Sequence, residues 1–158
     1  MWWHEFLLAG LIAALALLLL SAGIEDIRRR EIANWKNATI ALAAPVWWYA
    51  NGLAPWPDMA IQVALSAIVL VAFYGAFALG WMGGGDVKLI AALALWLPTG
   101  AFVSMLMVMS IAGGVVTLAM LIERALRKNR ERIEVPYGVA IVFAALLSVR
   151  APNFNQFL

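Results

Sequence analysis

Cysteine is absent from the 158-residue chain, and histidine occurs once, as His4. The first absence excludes disulfides, thiolate metal sites, cysteine nucleophiles and covalent haem attachment. The second leaves no basis for a His-rich metal site, and no metal or cofactor is expected. Charge is also scarce. Asp, Glu, Lys and Arg make up 13% of the residues, against about a quarter in soluble domains, while 65% are hydrophobic. Such a composition excludes an ordinary soluble enzyme and a disordered chain. The net charge of +2 is too small for a nucleic-acid binder. The basic residues stand in clusters between apolar runs, which is a membrane pattern.

A crossing helix needs about 20 apolar residues. Phe6 to Ile24 meets that need without a charge. It has no basic residue before it and Arg28, Arg29 and Arg30 after it, the reverse of a secretory signal, so it reads as a retained helix. The run Ala38 to Ala54 is shorter, with Pro45 inside and Trp47, Trp48 and Tyr49 placed as headgroup-level aromatics. Met59 to Trp81 is long, and Ala72, Ala76 and Gly80 give it a small-residue face for a neighbouring helix. The uncharged run Leu89 to Ile122 would be about 51 Å long as one helix, too much for a core of about 30 Å. Pro98 and Gly100 are its natural break. The expectation is an all-α integral membrane protein: one domain over 1–158, six transmembrane helices near 5–24, 37–54, 59–81, 86–97, 101–122 and 135–150.

The cations fit six crossings. Of the eleven Lys and Arg, four fall in 25–36 and five in 123–134, with Lys88 between and Arg150 apart. Six crossings put all three basic regions on the cytoplasmic face and both termini outside.

Most charges have a plain account as solvated loop residues, or, for Asp58 after Pro57, as a helix cap. Asp26 and Asp86 do not. They fall at the cytoplasmic end of helix 1 and the cytoplasmic start of helix 4, on one face and at one depth. Acidic groups there are costly unless paired or solvated, so function is the default hypothesis. Two carboxylates brought close do not both ionise easily, so one serves as general acid and the other as general base on a water. Gly83, Gly84 and Gly85 are expected to form irregular backbone that lets a substrate chain approach Asp86. The competing account pairs Asp26 with Arg29 or Arg30, while Asp86 caps helix 4 and pairs with Lys88. These residues alone leave that choice open.

Three segments carry a resemblance. Gly83-Gly84-Gly85-Asp86 is similar to the G-x-G-D motif of intramembrane aspartic proteases. The stretch Asp26 to Trp35, DIRRREIANW, resembles the D-x-R-x-x-x-I-P-N segment of type IV prepilin peptidases, and Pro136-Tyr137-Gly138-Val139-Ala140 resembles the P-Y-G-x-A start of their last helix. The order and the six-helix topology match over most of the chain. The likeness is to the short form that serves tight-adherence (Flp-type) pili. It implies an aspartic endopeptidase of the bacterial inner membrane that removes the basic leader of prepilins at the cytoplasmic face, after a glycine. Asp26 and Asp86 would then be the catalytic pair. Gly83, Gly84, Gly85, Lys88, Arg28, Asn34, Pro136, Tyr137 and Gly138 would bind substrate or shape the site. The partners would be the prepilin and the lipid bilayer, with no nucleic acid.

Ala33 departs from the pattern, which has proline there, so the start of helix 2 is expected to be less rigid. No glycine-rich soluble domain for S-adenosylmethionine is visible, so no methylation is expected. Three other readings stay in view. Presenilin-like proteases share the dyad but carry a Y-D motif, whereas Glu25 precedes Asp26 here. An ion-coupled transporter could use both aspartates, and a non-enzymatic assembly subunit would need neither.

Overall fold

The computed structural model describes residues 2–127 and 137–150. Its elements are α1 (Trp2–Arg29), α2 (Asn34–Ala50), a short irregular turn (Pro55–Met59), α3 (Ala60–Ala78), α4 (Gly84–Ala94), α5 (Thr99–Arg127) and α6 (Tyr137–Arg150). The described residues are all-helical, without a strand. Among the described residues, three segments are long and apolar enough to cross a membrane: Trp2–Arg29, Pro55–Ala78 and Thr99–Glu123. Tyr137–Val149 is a shorter apolar helix.

The uncharged run 89–122 is divided at Leu95–Pro98, because Pro98 can give no N–H to continue α4 and instead precedes the first turn of α5. Helix α4 is only 11 residues long, about 16 Å, and it is the hub of the bundle. It packs against α2, α3, α5 and α6. Leu89, Ile90, Leu93 and Ala94 are fully buried, together with Leu15, Leu19, Ile40, Met105 and Ile141 from the surrounding helices. Apolar packing of this kind brings little hydrophobic gain in lipid, so close fit and internal hydrogen bonds must hold the helices together. Ser66 on α3 supplies one such bond, its hydroxyl donating to the Ala91 carbonyl at 2.8 Å.

Tryptophan supplies others. Trp47 and Trp48 are buried, not at a headgroup boundary as the sequence suggested. The turn that follows α4 carries carbonyls with no intrahelical partner, and the indoles reach them. Trp48 Nε1 donates to the Leu95 carbonyl at 2.6 Å, and Trp47 Nε1 donates to that of Trp96 at 3.1 Å. Trp96 Nε1 donates back to the Ile40 carbonyl at 2.8 Å, and its ring stacks on Trp47 at 5.4 Å. Tyr49, at 82% exposure, does face outward. At the same end, His4 Nε2 lies 2.6 Å from the Ala50 carbonyl and ties α1 to α2.

Helix α3 is shorter than its apolar run. It stops at Ala78 in a Schellman turn: Gly80 adopts φ +72°, its N–H donates to the Phe77 carbonyl, and that of Trp81 donates to Ala76. Gly80 is therefore a helix stop and not part of a packing stripe, and Ala72 is exposed. Asp58 does bind backbone at a helix start, accepting the Ala54 N–H at 3.0 Å.

Candidate active site

The end of α1 and the start of α4 meet at the end of the bundle opposite the tryptophans. Asp26 lies in the last turn of α1 and is 4% exposed; Asp86 lies in the first turn of α4 and is 7% exposed. The chain leaves α1 through Arg30, whose φ of +57° reverses its direction, and its N–H still closes on the Asp26 carbonyl at 2.9 Å. This turn folds residues 30–33 over the glycines of α4.

The glycines do not form irregular backbone. Gly83 caps α4, and Gly84 and Gly85 sit inside its first turn. Their reason is steric. A Cβ on Gly85 would stand 3.1 Å from the Ile32 carbonyl and Cβ, and one on Gly84 would stand 3.2 Å from the Phe77 ring. They allow the 30–33 turn and α3 to close onto α4, rather than holding space open for a substrate backbone. Asp86 occupies the third helical position and folds back towards the Gly83 N–H, the acidic half of a capping box.

Asp26 is held from the other side by α6. Its Oδ2 accepts the Val139 N–H at 3.2 Å, and the Gly138 N–H also bonds the carboxylate. The first turn of a helix offers free N–H groups and a positive dipole end, a natural seat for a carboxylate. Gly138 permits this approach: a Cβ there would fall 2.7 Å from Asp26 Cγ and Oδ2. Tyr137 seats against Gly113 of α5, where a Cβ would come within 3.2 Å of its ring.

Asp26 and Asp86 share a cleft with two lobes. The larger, about 580 Å³, is lined by both aspartates, Arg29, Arg30, Glu31, Gly80, Trp81, Met82, Gly83 and Tyr137. The smaller, about 380 Å³, is lined by both aspartates, Arg30, Glu31, Ile32, Asn34, Gly83, Gly84, Gly85 and Lys88. The carboxylates lie near enough for the charge of Asp26 to act on Asp86. Lys88 does not neutralise Asp86: its Nζ donates to Asn34 Oδ1 at 2.8 Å. The charge of Arg30 acts on Asp26.

Of the residues singled out in the sequence, Asp26, Asp86, Gly83, Gly84, Gly85, Asn34, Lys88 and Tyr137 line the cleft, and Gly138 touches Asp26. Arg28 is exposed and lines neither lobe; Arg29 and Arg30 do. Pro136 lies outside the described residues. Gly80, Trp81, Met82 and Glu31 are additions. The glycine at 80 is the one signal in the sequence: its φ of +72° ends α3 and sends the next residues along the cleft wall. Among the described residues, no group of three or more His, Cys, Asp or Glu side chains could hold a metal ion.

The fold and cleft define an all-helical membrane protein with a buried pair of carboxylates on one polar cavity. A family model, the type IV leader peptidase family, matches residues 13–118, so the chain belongs to that family. The matched stretch contains both aspartates. Two curated relatives, each a prepilin leader peptidase/N-methyltransferase, come from Aeromonas salmonicida strain A449 and from Aeromonas salmonicida. Each is 28% identical over 118 residues, covering 68% of this chain. The chain covers 40% of the length of these relatives. No solved structure matches it.

Proposed function

We propose that this protein is an aspartic endopeptidase that removes the basic leader from prepilins, cutting after a glycine at the cytoplasmic face of the bacterial inner membrane. The observation that carries the reading is the pair Asp26 and Asp86, from distant parts of the chain, buried on one polar cleft at one end of a membrane bundle. The Flp-type resemblance favours pilins of tight-adherence systems as substrates.

The chemistry needs only the two carboxyl groups and a water. The ionised carboxylate removes a proton from water as its oxygen bonds to the glycyl carbonyl carbon. The protonated partner donates to the carbonyl oxygen, which stabilises the tetrahedral intermediate. Collapse of that intermediate breaks the C–N bond: the leaving amine takes the proton that the first carboxylate removed from water, and a hydroxyl of the intermediate returns a proton to the second. Two interacting carboxyls titrate as a pair, so the two roles belong to the dyad and not to a named residue. A scissile segment must be extended here, because a helical amide is shielded by its own turn. The Arg29 and Arg30 side of the larger lobe suits an acidic substrate residue. The second activity in the relatives' name is not extended to this chain.

Co-expression with a tagged Flp-type prepilin, read by gel shift and by the mass of the new N-terminus, tests the proposal. Cleavage after the leader glycine is expected in wild type and lost in Asp26→Asn and Asp86→Asn, with no added mass from a labelled methyl donor. Near-normal cleavage by either Asn variant would refute the dyad. Ion flux in liposomes without any cleavage would favour a transporter.

A further inference from the structure

The two aspartates are held by different helices, yet the groups beside them in sequence are tied to one short piece of α2. Lys36 Nζ forms an ion pair with Glu25 Oε2 at 2.9 Å and donates to the Ser21 carbonyl at 3.0 Å. Glu25 is the residue before Asp26, and its Oε2 also accepts the Ala33 N–H at 3.1 Å. Asn37, the next residue along α2, donates from Nδ2 to the Gly85 carbonyl at 3.0 Å. Gly85 is the residue before Asp86. Lys36 and Asn37 are 6% and 4% exposed, and neither lines either lobe of the cleft.

We propose that Lys36 and Asn37 are positioning residues that fix the separation and orientation of Asp26 and Asp86. This rests on the reading of those aspartates as the reacting pair. Stability alone is a poor reason for these side chains. Lys36 is buried and Glu25 only partly so, at 20% side-chain exposure, and an ion pair of this kind seldom stabilises more than apolar residues of like size. The Asn37 amide also leaves its Oδ1 buried without a partner, a cost that an apolar residue would avoid. What the two residues do provide is direction. The Lys36–Glu25 and Asn37–Gly85 bonds each end one residue from a carboxylate, and together they make the first turns of α2 a spacer between α1 and α4. A dyad needs its two carboxyls held to a fraction of an ångström, and small misplacements cost large factors in rate.

The test uses the full-length protein in two formats. In the first, prepilin cleavage is measured for Lys36→Met, Asn37→Leu and Lys36→Arg. The Met and Leu variants are expected to lose about tenfold or more in kcat with KM held within about twofold. Lys36→Arg, which keeps the charge and donors, is expected to recover most of the rate. A change confined to KM, or none, would overturn the proposal. The second format needs no activity. Because the chain has no cysteine, Asp26→Cys/Asp86→Cys carries the only two thiols, and bifunctional thiol reagents of graded length measure their spacing. The parent pair is expected to close with a narrow range of reagents, and Lys36→Met or Asn37→Leu to widen it. An unchanged range would also overturn the proposal. If these variants fail to fold, Glu25→Gln replaces them: it keeps an acceptor for Ala33 and removes the charge facing Lys36. A wild type that cleaves no prepilin, with the reagent range widened in the variants, would reject the peptidase and keep the spacer. Cleavage by wild type with neither readout moved would do the reverse.

Discussion

Gly138 is the position where one atom decides the most. Its missing Cβ lets the first turn of α6 bring two N–H groups to Asp26. Gly138→Ala would place a carbon 2.7 Å from that carboxylate, so α6 or the Asp26 side chain must move. The expected result is a stability loss of about 1–3 kcal/mol by thermal unfolding in detergent, with a larger relative loss of prepilin cleavage. Gly114→Ala is the matched control. Nothing lies within 4 Å of its added Cβ, so neither readout should fall. Ala33 makes a related point. The sequence suggested a looser start to helix 2 without proline, yet Ala33 holds φ −60°, a value proline would impose, and spends its N–H on Glu25. The missing ring is replaced by a hydrogen bond that only a non-proline residue can donate. Sequence pattern could show the substitution but not the distant carboxylate that answers it.

Helix α4 is anchored by side chains at both ends. Indoles bind the Leu95 and Trp96 carbonyls just past its end, and Asn37 and the 30–33 turn hold its first turn. Trp48→Phe removes the donor to the Leu95 carbonyl and leaves that oxygen unpaired. An expected loss of about 1–3 kcal/mol, read by thermal unfolding, compares with no loss for Tyr49→Phe at its exposed neighbour. Elements of this kind were legible unevenly. Pro98 and the uncharged run on either side showed where one helix had to become two, because length in a bilayer is a hard limit. The role of the glycines before Asp86 is not legible in the sequence. Glycine is a poor helix former on its own, and their packing depends on the fold: Ile32 is distant in the chain from Gly85, and Phe77 reaches Gly84 only through the turn at Gly80. Trp47 and Trp48 were misplaced for a similar reason. An indole suits a headgroup boundary and an orphan helix carbonyl equally well, and only the position of α4 decides between them.

Across the whole molecule, Asp26 and Asp86 were legible because a carboxylate stands out in an apolar chain. Trp81 and Met82, which wall the larger lobe, were not, since apolar residues in such a chain offer no contrast. Lys36 was hidden among the arginines that set orientation, although it is buried and they are exposed. The proposed orientation is open to a direct check in this cysteine-free chain. Ile27→Cys, beside Asp26, and Trp56→Cys, beyond α2, substitute residues that are 59% and 80% exposed. A membrane-impermeant maleimide should label position 56 in intact spheroplasts and position 27 only after permeabilisation. The opposite pattern would place the cleft on the outer face. The uneven burial of α3 and α4 also shapes how such a sequence drifts. Only Gln62 and Val69 of α3 are buried, whereas eight of the eleven residues of α4 are. Exchange of one apolar residue for another is mild at the exposed positions of α3, away from Leu65, Phe73 and Phe77, and felt almost everywhere along α4. Divergence between lineages should therefore accumulate on the former and leave the latter as the slow clock of the molecule.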